Sequence, residues 1–209
     1  MSVVERIRRR GQPEQAPIRF GDGALTVEPM QRRDLRAGVL DVERAAYPTG
    51  WSQRVFQSEL DQMRTGARHY VVARPGRGDD PSRPRPTNPP ILGHAGLMFV
   101  LDEAHVTTVA VRPDQRRSGA ASRMLLVLAE EALRRGTASW TLEVRAGSVG
   151  AQQLYRRFGF APAGVRKGYY EAPVDRPGAP REDAIVMWCH DIRSADYRRR
   201  LDDLWEQYR

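Results

Sequence analysis

The sequence predicts a single α/β domain, and three observations predict it. Short apolar runs bounded by turn residues alternate along the chain with longer stretches of helical spacing. One such run, T-T-V-A-V-R-P at residues 107–113, passes through R-R-S-G-A-A at 116–121 into the longest helical stretch. A chain of 209 residues, 40% apolar and 29% charged, is enough for one domain with a full core and short for two.

The elements follow in order. Residues 1–23 are polar, basic and aperiodic, and read as a flexible arm. Residues 24–29 (A-L-T-V-E-P) form a first strand. Residues 32–47 carry Leu35, Val39, Leu40, Val42 and Ala46 near helical spacing, and Pro48-Thr49-Gly50 breaks that helix. A second helix spans 51–63, with Ser52 as N-cap and Val55, Phe56, Leu60 and Met63 as its apolar face. Residues 69–73 are a strand. Residues 75–90, within a stretch dense in Pro, Gly, Arg and Asp, read as a flexible loop. Two strands follow at 91–101 and 105–111. The helix 119–135 buries Met124, Leu125, Leu128 and Leu133 and ends at Gly136. A strand at 139–145 and a helix at 149–158 come next. Two further strands surround Val165 and residues 184–189, joined by a loop at 171–182. The domain so defined is 24–190. The remainder, 191–209, is an amphipathic helix whose stripe is Tyr197, Leu201, Leu204, Trp205 and Tyr208. Such a stripe either docks back on the domain or receives a partner or a second copy of the chain.

Composition narrows the function classes. No run approaches the ~18 apolar residues of a membrane span. Arg6, Arg8, Arg9 and Arg10 have no apolar stretch behind them, so the N-terminus does not read as a secretory signal. Cys189 is the only cysteine; it lies late in an apolar run and reads as a buried structural thiol. These features suit the cytoplasm. The net charge of +8 is carried almost wholly by arginine, since Lys167 is the only lysine. GC-rich coding produces that pattern without a nucleic-acid partner; an acidic or RNA-rich partner such as the ribosome is the second source. His69, His94, His105 and His190 form no spaced ligand set, so no metal is expected.

Three features could carry chemistry. The turn Arg116, Arg117, Ser118, Gly119, Ala120 and Ala121 opens a helix, where free backbone N–H groups and the helix dipole favour an anion. Small residues there let a phosphate approach, and the alternative is ordinary helix capping. Glu143 lies in the alternating strand W-T-L-E-V-R and is either a solvated carboxylate or a base facing a cleft. Tyr155 lies twelve residues later in L-Y-R-R-F-G-F, as a core aromatic or as an acid for a leaving thiolate.

Together these features resemble the GCN5-related N-acetyltransferases, whose motif Q/R-x-x-G-x-G/A is met by Arg116, Gly119 and Ala121. V-A-V-R-P-D-Q-R-R, L-E-V-R-A, A-Q-Q-L-Y-R-R-F-G-F, G-Y-Y at 168–170 and E-D-A-I-V-M at 182–187 bring the chain near the protein N-terminal acetyltransferases of the RimI type. The resemblance spans roughly residues 25–188. It implies a mixed, mostly antiparallel sheet of about seven strands. That sheet would be splayed between the fourth and fifth strands and flanked by about four helices. It implies acetyl-CoA as co-substrate and a protein N-terminus, such as that of a ribosomal protein, as acceptor. Carried over by position, residues 116–121 would hold the pyrophosphate. Val109 and Val111 would pair with the pantetheine arm, and the Val109 N–H would polarise the thioester. Ser148 would contact CoA; Glu143 would be the base and Tyr155 the acid. Tyr47, Trp51, Tyr169 and Tyr170 would line the acceptor groove. The chain departs from the family pattern at Ser148 (usually Asn), Ala121 (usually Gly) and Ser118, which precedes Gly119.

Overall fold

In the computed structural model, which describes residues 16–21, 24–76, 90–172 and 178–208, eight strands form one mixed sheet in the order β1-β2-β3-β4-β5-β6-β8-β7. The strands are β1 (Ile18–Phe20), β2 (Leu25–Pro29), β3 (Arg68–Pro75), β4 (Gly93–Val100), β5 (Glu103–Val111), β6 (Ser139–Arg145), β7 (Ala161–Tyr170) and β8 (Glu182–Cys189). Five helices accompany them: α1 (Leu40–Ala46), α2 (Gln53–Met63), α3 (Ala120–Arg134), α4 (Val149–Arg157) and α5 (Ala195–Tyr208). Every neighbouring pair is antiparallel except β5 and β6.

The extra strand over the expected seven is β1, which corrects the reading of the arm. Ile18, Arg19 and Phe20 pair with Val27, Thr26 and Leu25, and Phe20 is buried. Three residues are too few to show a strand pattern, but one buried aromatic is enough to hold an edge strand. Residues 1–15, 22 and 23 of the expected arm, most of the loop 75–90 and residues 173–177 of the loop 171–182 lie outside the described residues. Pro75 itself still pairs with Leu25 at the end of β3.

Strand alternation divides the core between the two faces of the sheet. Val71 and Ala73 of β3 point to one side, where α3 contributes Met124, Leu125 and Leu128. Tyr70 and Val72 point to the other, against Leu35, Val39, Val42, Phe56 and Leu60. A strand covered on both faces loses its polar alternation, and residues 69–74 are accordingly buried without interruption. The first helical stretch is not regular. A turn at Arg32–Asp34 passes through a π-helical segment, Leu35–Val39, into α1, with Gly38 at φ +142° beside Ile91. Ser52 caps α2 by accepting the Val55 N–H at 3.4 Å. Val55 itself is exposed, so the apolar face of α2 is narrower than the spacing suggests. Gly136 ends α3 at φ +74°.

Phe158 and Phe160 of L-Y-R-R-F-G-F are core residues packed beside β6. Trp140, fully buried, meets Phe158, Phe160 and Tyr197 with ring centroids 6.3, 4.6 and 6.4 Å away. Cys189 is buried in the same cluster, and burial pushes its thiol pKa up, as suits a structural cysteine. The stripe on α5 is covered by the chain's own domain: Tyr197, Leu201 and Leu204 are buried, and Trp205 stacks on Phe20 at 5.0 Å. Among the described residues no helix is long and apolar enough to cross a membrane.

Candidate active site

The site begins where the sheet opens. β5 and β6 pair in parallel only from Glu103–Val106 to Ser139–Leu142. Beyond that point β5 follows β4 as far as Val111, and β6 follows β8 as far as Arg145. At this parting Gly96 pairs with Thr108 but Leu97 with Val106, so Thr107 is an extra residue bulged from β5; a bulge bends its strand and increases the local twist.

The two inner edges of the split carry backbone groups. The Arg112 N–H bonds Leu92 O at 2.9 Å on the β4 side, so alternation turns Val109 and Val111 toward the split. Likewise the Ala146 N–H bonds Asp183 O on the β8 side, which turns Glu143 and Arg145 inward. Each edge is capped by a tyrosine hydroxyl. Tyr47 donates to Val109 O at 2.6 Å, and the Val109 N–H reaches the same hydroxyl at 3.3 Å. Tyr170 donates to Glu143 O at 3.0 Å. Tyr47 therefore touches the strand expected to meet the donor, rather than only lining an acceptor groove. Its loop is held from behind: Glu43, buried and 3.1 Å from His94, accepts the Trp51 N–H at 2.8 Å. The Trp51 ring lies edge-on to Phe56 at 5.5 Å and tilted over Tyr70 at 6.4 Å.

Glu143 projects its side chain on the α1/α2 side of the sheet, 8% exposed. His105 Nε2 lies 2.7 Å from Oε2 and an Arg166 nitrogen 3.0 Å from Oε1. The His105 hydrogen bond, ahead of the opposing effect of burial and aided by Arg166, holds the Glu143 pKa below the usual carboxylate range. Sequence spacing could not disclose either partner. His105 reaches Glu143 because parallel pairing sets it beside Thr141, and Arg166 arrives from β7.

Tyr155 lies on α4, 8% exposed, with its ring edge-on to Phe160 at 5.8 Å. Burial, with Tyr47 and Tyr170 close by, pushes its pKa well up, so the phenol keeps its proton. Tyr169 is 44% exposed and edge-on to Tyr170 at 5.0 Å. Ser148 precedes α4, and its carbonyl accepts the Gln152 N–H at 3.0 Å.

β5 leads through the 3₁₀ turn Pro113–Gln115 into the basic turn. Arg117 at φ +67° and Gly119 at φ +83° both adopt left-handed backbone, so the chain reverses tightly before α3. Arg116 and Arg117 are exposed. The first-turn N–H groups of α3 have no acceptors within the helix. The Ser118 hydroxyl takes the Ala120 N–H at 3.3 Å. Arg123 returns from α3 to donate to Ser118 O at 3.0 Å. Val109, Val111 and residues 116–121 thus form one continuous edge and turn, with Glu143 on the facing edge and Tyr155 close to both capping tyrosines.

Of the four histidines, three face a glutamate: His69 and Glu131 at 3.8 Å, His94 and Glu43, and His105 and Glu143.

Comparison with known proteins identifies the family and the fold. Residues 36–160 match the acetyltransferase (GNAT) family model. The chain is 32% identical over 162 residues to the ribosomal protein bS18-alanine N-acetyltransferase of Escherichia coli K12, covering 78% of this chain and 95% of the relative. The crystal structure of the ribosomal-protein-S18-alanine N-acetyltransferase from Escherichia coli superposes with a TM-score of 0.63 at 29% identity, covering 80% of this chain and 94% of that one. A GNAT family acetyltransferase from Elizabethkingia anophelis, solved with acetyl-CoA bound, shares the fold at 18% identity (TM-score 0.56, covering 80% and 98%).

Proposed function

As the chain belongs to the GNAT family of acetyltransferases and is an acetyl-CoA-dependent N-acetyltransferase, we propose that it acetylates the N-terminal α-amino group of a protein, a ribosomal protein foremost, in the cytoplasm. The observation that carries this reading is the inner edge of β5 at Val109, which runs into the basic turn before α3 and faces Glu143 across the split.

The donor's pantetheine arm lies along Val109 and Val111 as an added strand, and its pyrophosphate meets the N–H groups and arginines of residues 116–121. Ser148 borders the arm from the start of α4. The Val109 N–H polarises the thioester carbonyl once the Tyr47 hydroxyl has withdrawn. The acceptor amine, lined by Tyr47, Trp51, Tyr169 and Tyr170, gives its proton to Glu143 directly or through one water and attacks the carbonyl carbon. The C–S bond breaks, and Tyr155 donates to the departing thiolate.

Mass spectrometry of cellular N-termini with and without the protein tests the acceptor. One or a few ribosomal-protein N-termini, alanine first among them, should lose their acetyl group when the protein is absent. Unchanged N-termini would remove this acceptor while leaving acetyl transfer intact.

The Tyr47 hydroxyl competes with the donor for Val109. Tyr47→Phe should therefore lower the KM for acetyl-CoA by about three- to tenfold, the worth of one or two hydrogen bonds. A raised KM in steady-state assays would mean instead that the hydroxyl stays and serves the donor.

A further inference from the structure

We infer that α5 positions the donor's phosphate turn and that Tyr208 is the residue through which it acts; the inference rests on residues 116–121 being that turn. α5 runs back along α3. Arg198 and the Trp205 indole both bond Glu130, at 2.9 and 3.1 Å, and Tyr208 ends beside Gly119 and Arg123 at the head of α3.

There the contacts converge on the turn. A Cβ added at Gly119 would meet Tyr208 Cε1 at 3.1 Å, so the ring packs directly on the left-handed residue that starts α3. The Arg123 guanidinium lies between two rings, 5.7 Å from the centre of Phe20 and 5.2 Å from that of Tyr208. From that position it donates to Ser118 O. Arg157 of α4 closes the far side of Tyr208, bonding its hydroxyl at 2.8 Å and also the Gln207 side chain. Phe20, in turn, is held by its stack on Trp205.

The turn needs such support. Two left-handed residues, one of them Arg117, leave Ser118 O without a place in either flanking element, and Arg123 supplies its donor. With the carbonyl pinned, the amides that follow keep a fixed aim. Tyr208 acts on the donor through Arg123 and Gly119, and so is a positioning residue.

The test compares two thioester donors on the full chain: acetyl-CoA, and acetyl-pantetheine, which lacks the pyrophosphate. Tyr208→Ala should raise the KM for acetyl-CoA by about tenfold, the scale of one lost hydrogen bond to a charged group, with kcat nearly unchanged. Its use of acetyl-pantetheine should equal the wild type's. Tyr208→Phe, which keeps the ring on Arg123, should resemble the wild type. Tyr208→Leu, which keeps apolar bulk but no aromatic face, should resemble the alanine variant and serves if that variant does not fold. An equal loss with both donors, no loss with either, or a phenylalanine variant as impaired as alanine would each overturn the role of the ring. A wild type that uses both donors equally well would remove the phosphate reading of the turn, and the role of Tyr208 with it.

Discussion

Glu143→Gln should lower kcat by about 10²- to 10³-fold, the usual contribution of a positioned general base, and leave the KM for acetyl-CoA nearly unchanged. The carboxylate receives His105 on one oxygen and Arg166 on the other. A glutamine has the same shape but only one acceptor oxygen, and its amide NH₂ must face one of these donors. The variant therefore loses both the base and part of its setting. The contacts proposed for the donor, on Val109 and residues 116–121, are untouched.

The pH dependence has a definite sign. Glu143 has a folded pKa below its ordinary value of 4.5. The hydrogen-bonded carboxylate form therefore stabilises the protein fully above that ordinary value, and this contribution is lost as pH falls through the lower folded one. Over the neutral range Glu143 is already ionised. The acid limb of the rate should then follow the α-amino group of the proposed acceptor, whose pKa is about 8. Wild type and Glu143→Gln should share that limb and differ in height, as pH–rate profiles would show. Equal turnover at every pH would take Glu143 out of the mechanism.

Gly96→Ala should destabilise the fold by about 3 kcal/mol, at the upper end for overpacking a dense core. A Cβ at this position would lie 2.1 Å from Tyr70 Cε1, 2.4 Å from Cδ1 and 2.7 Å from Cζ. The ring has no room to retreat. It is fully buried, and its hydroxyl is tied to Glu59 at 2.7 Å and to Thr107 at 2.9 Å. The melting temperature should fall by roughly 6–12 °C, as that energy implies for a chain of this size. Gly164→Ala, where an added Cβ meets nothing within 4 Å, is the control and should leave it nearly unchanged. A Gly96→Ala protein that melts with the wild type would show that Tyr70 can shift. Because Thr107 is where β5 leaves β6, the same variant should also impair turnover beyond its effect on the folded fraction.

The basic turn and the Glu143–Tyr155 spacing were legible as motifs because their parts lie close in the chain. Strand and helix order was legible for a similar reason, since periodicity is a local property. Even there, local signals had limits. β1 is three residues long and its only strong signal is Phe20. The regular helix expected at 32–47 contains a π-helical turn, because Gly38 takes φ +142° against Ile91.

The sequence by itself determined the fold class, the helix that receives the basic turn, and which carboxylate and phenol are candidates for proton transfer. Only the tertiary structure decided how those groups are held. It set His105 and Arg166 on Glu143, turned the Tyr47 hydroxyl onto Val109 and the Tyr170 hydroxyl onto the facing edge, and folded the stripe of α5 onto its own domain. It also carried Tyr208 to Gly119, across 88 intervening positions that offer no local signal. The physical reason is the range of the forces involved. Backbone propensity and side-chain periodicity act over a few residues. A hydrogen bond or ring contact depends on which strands pair and where a sheet parts, and that is settled only when the whole core packs.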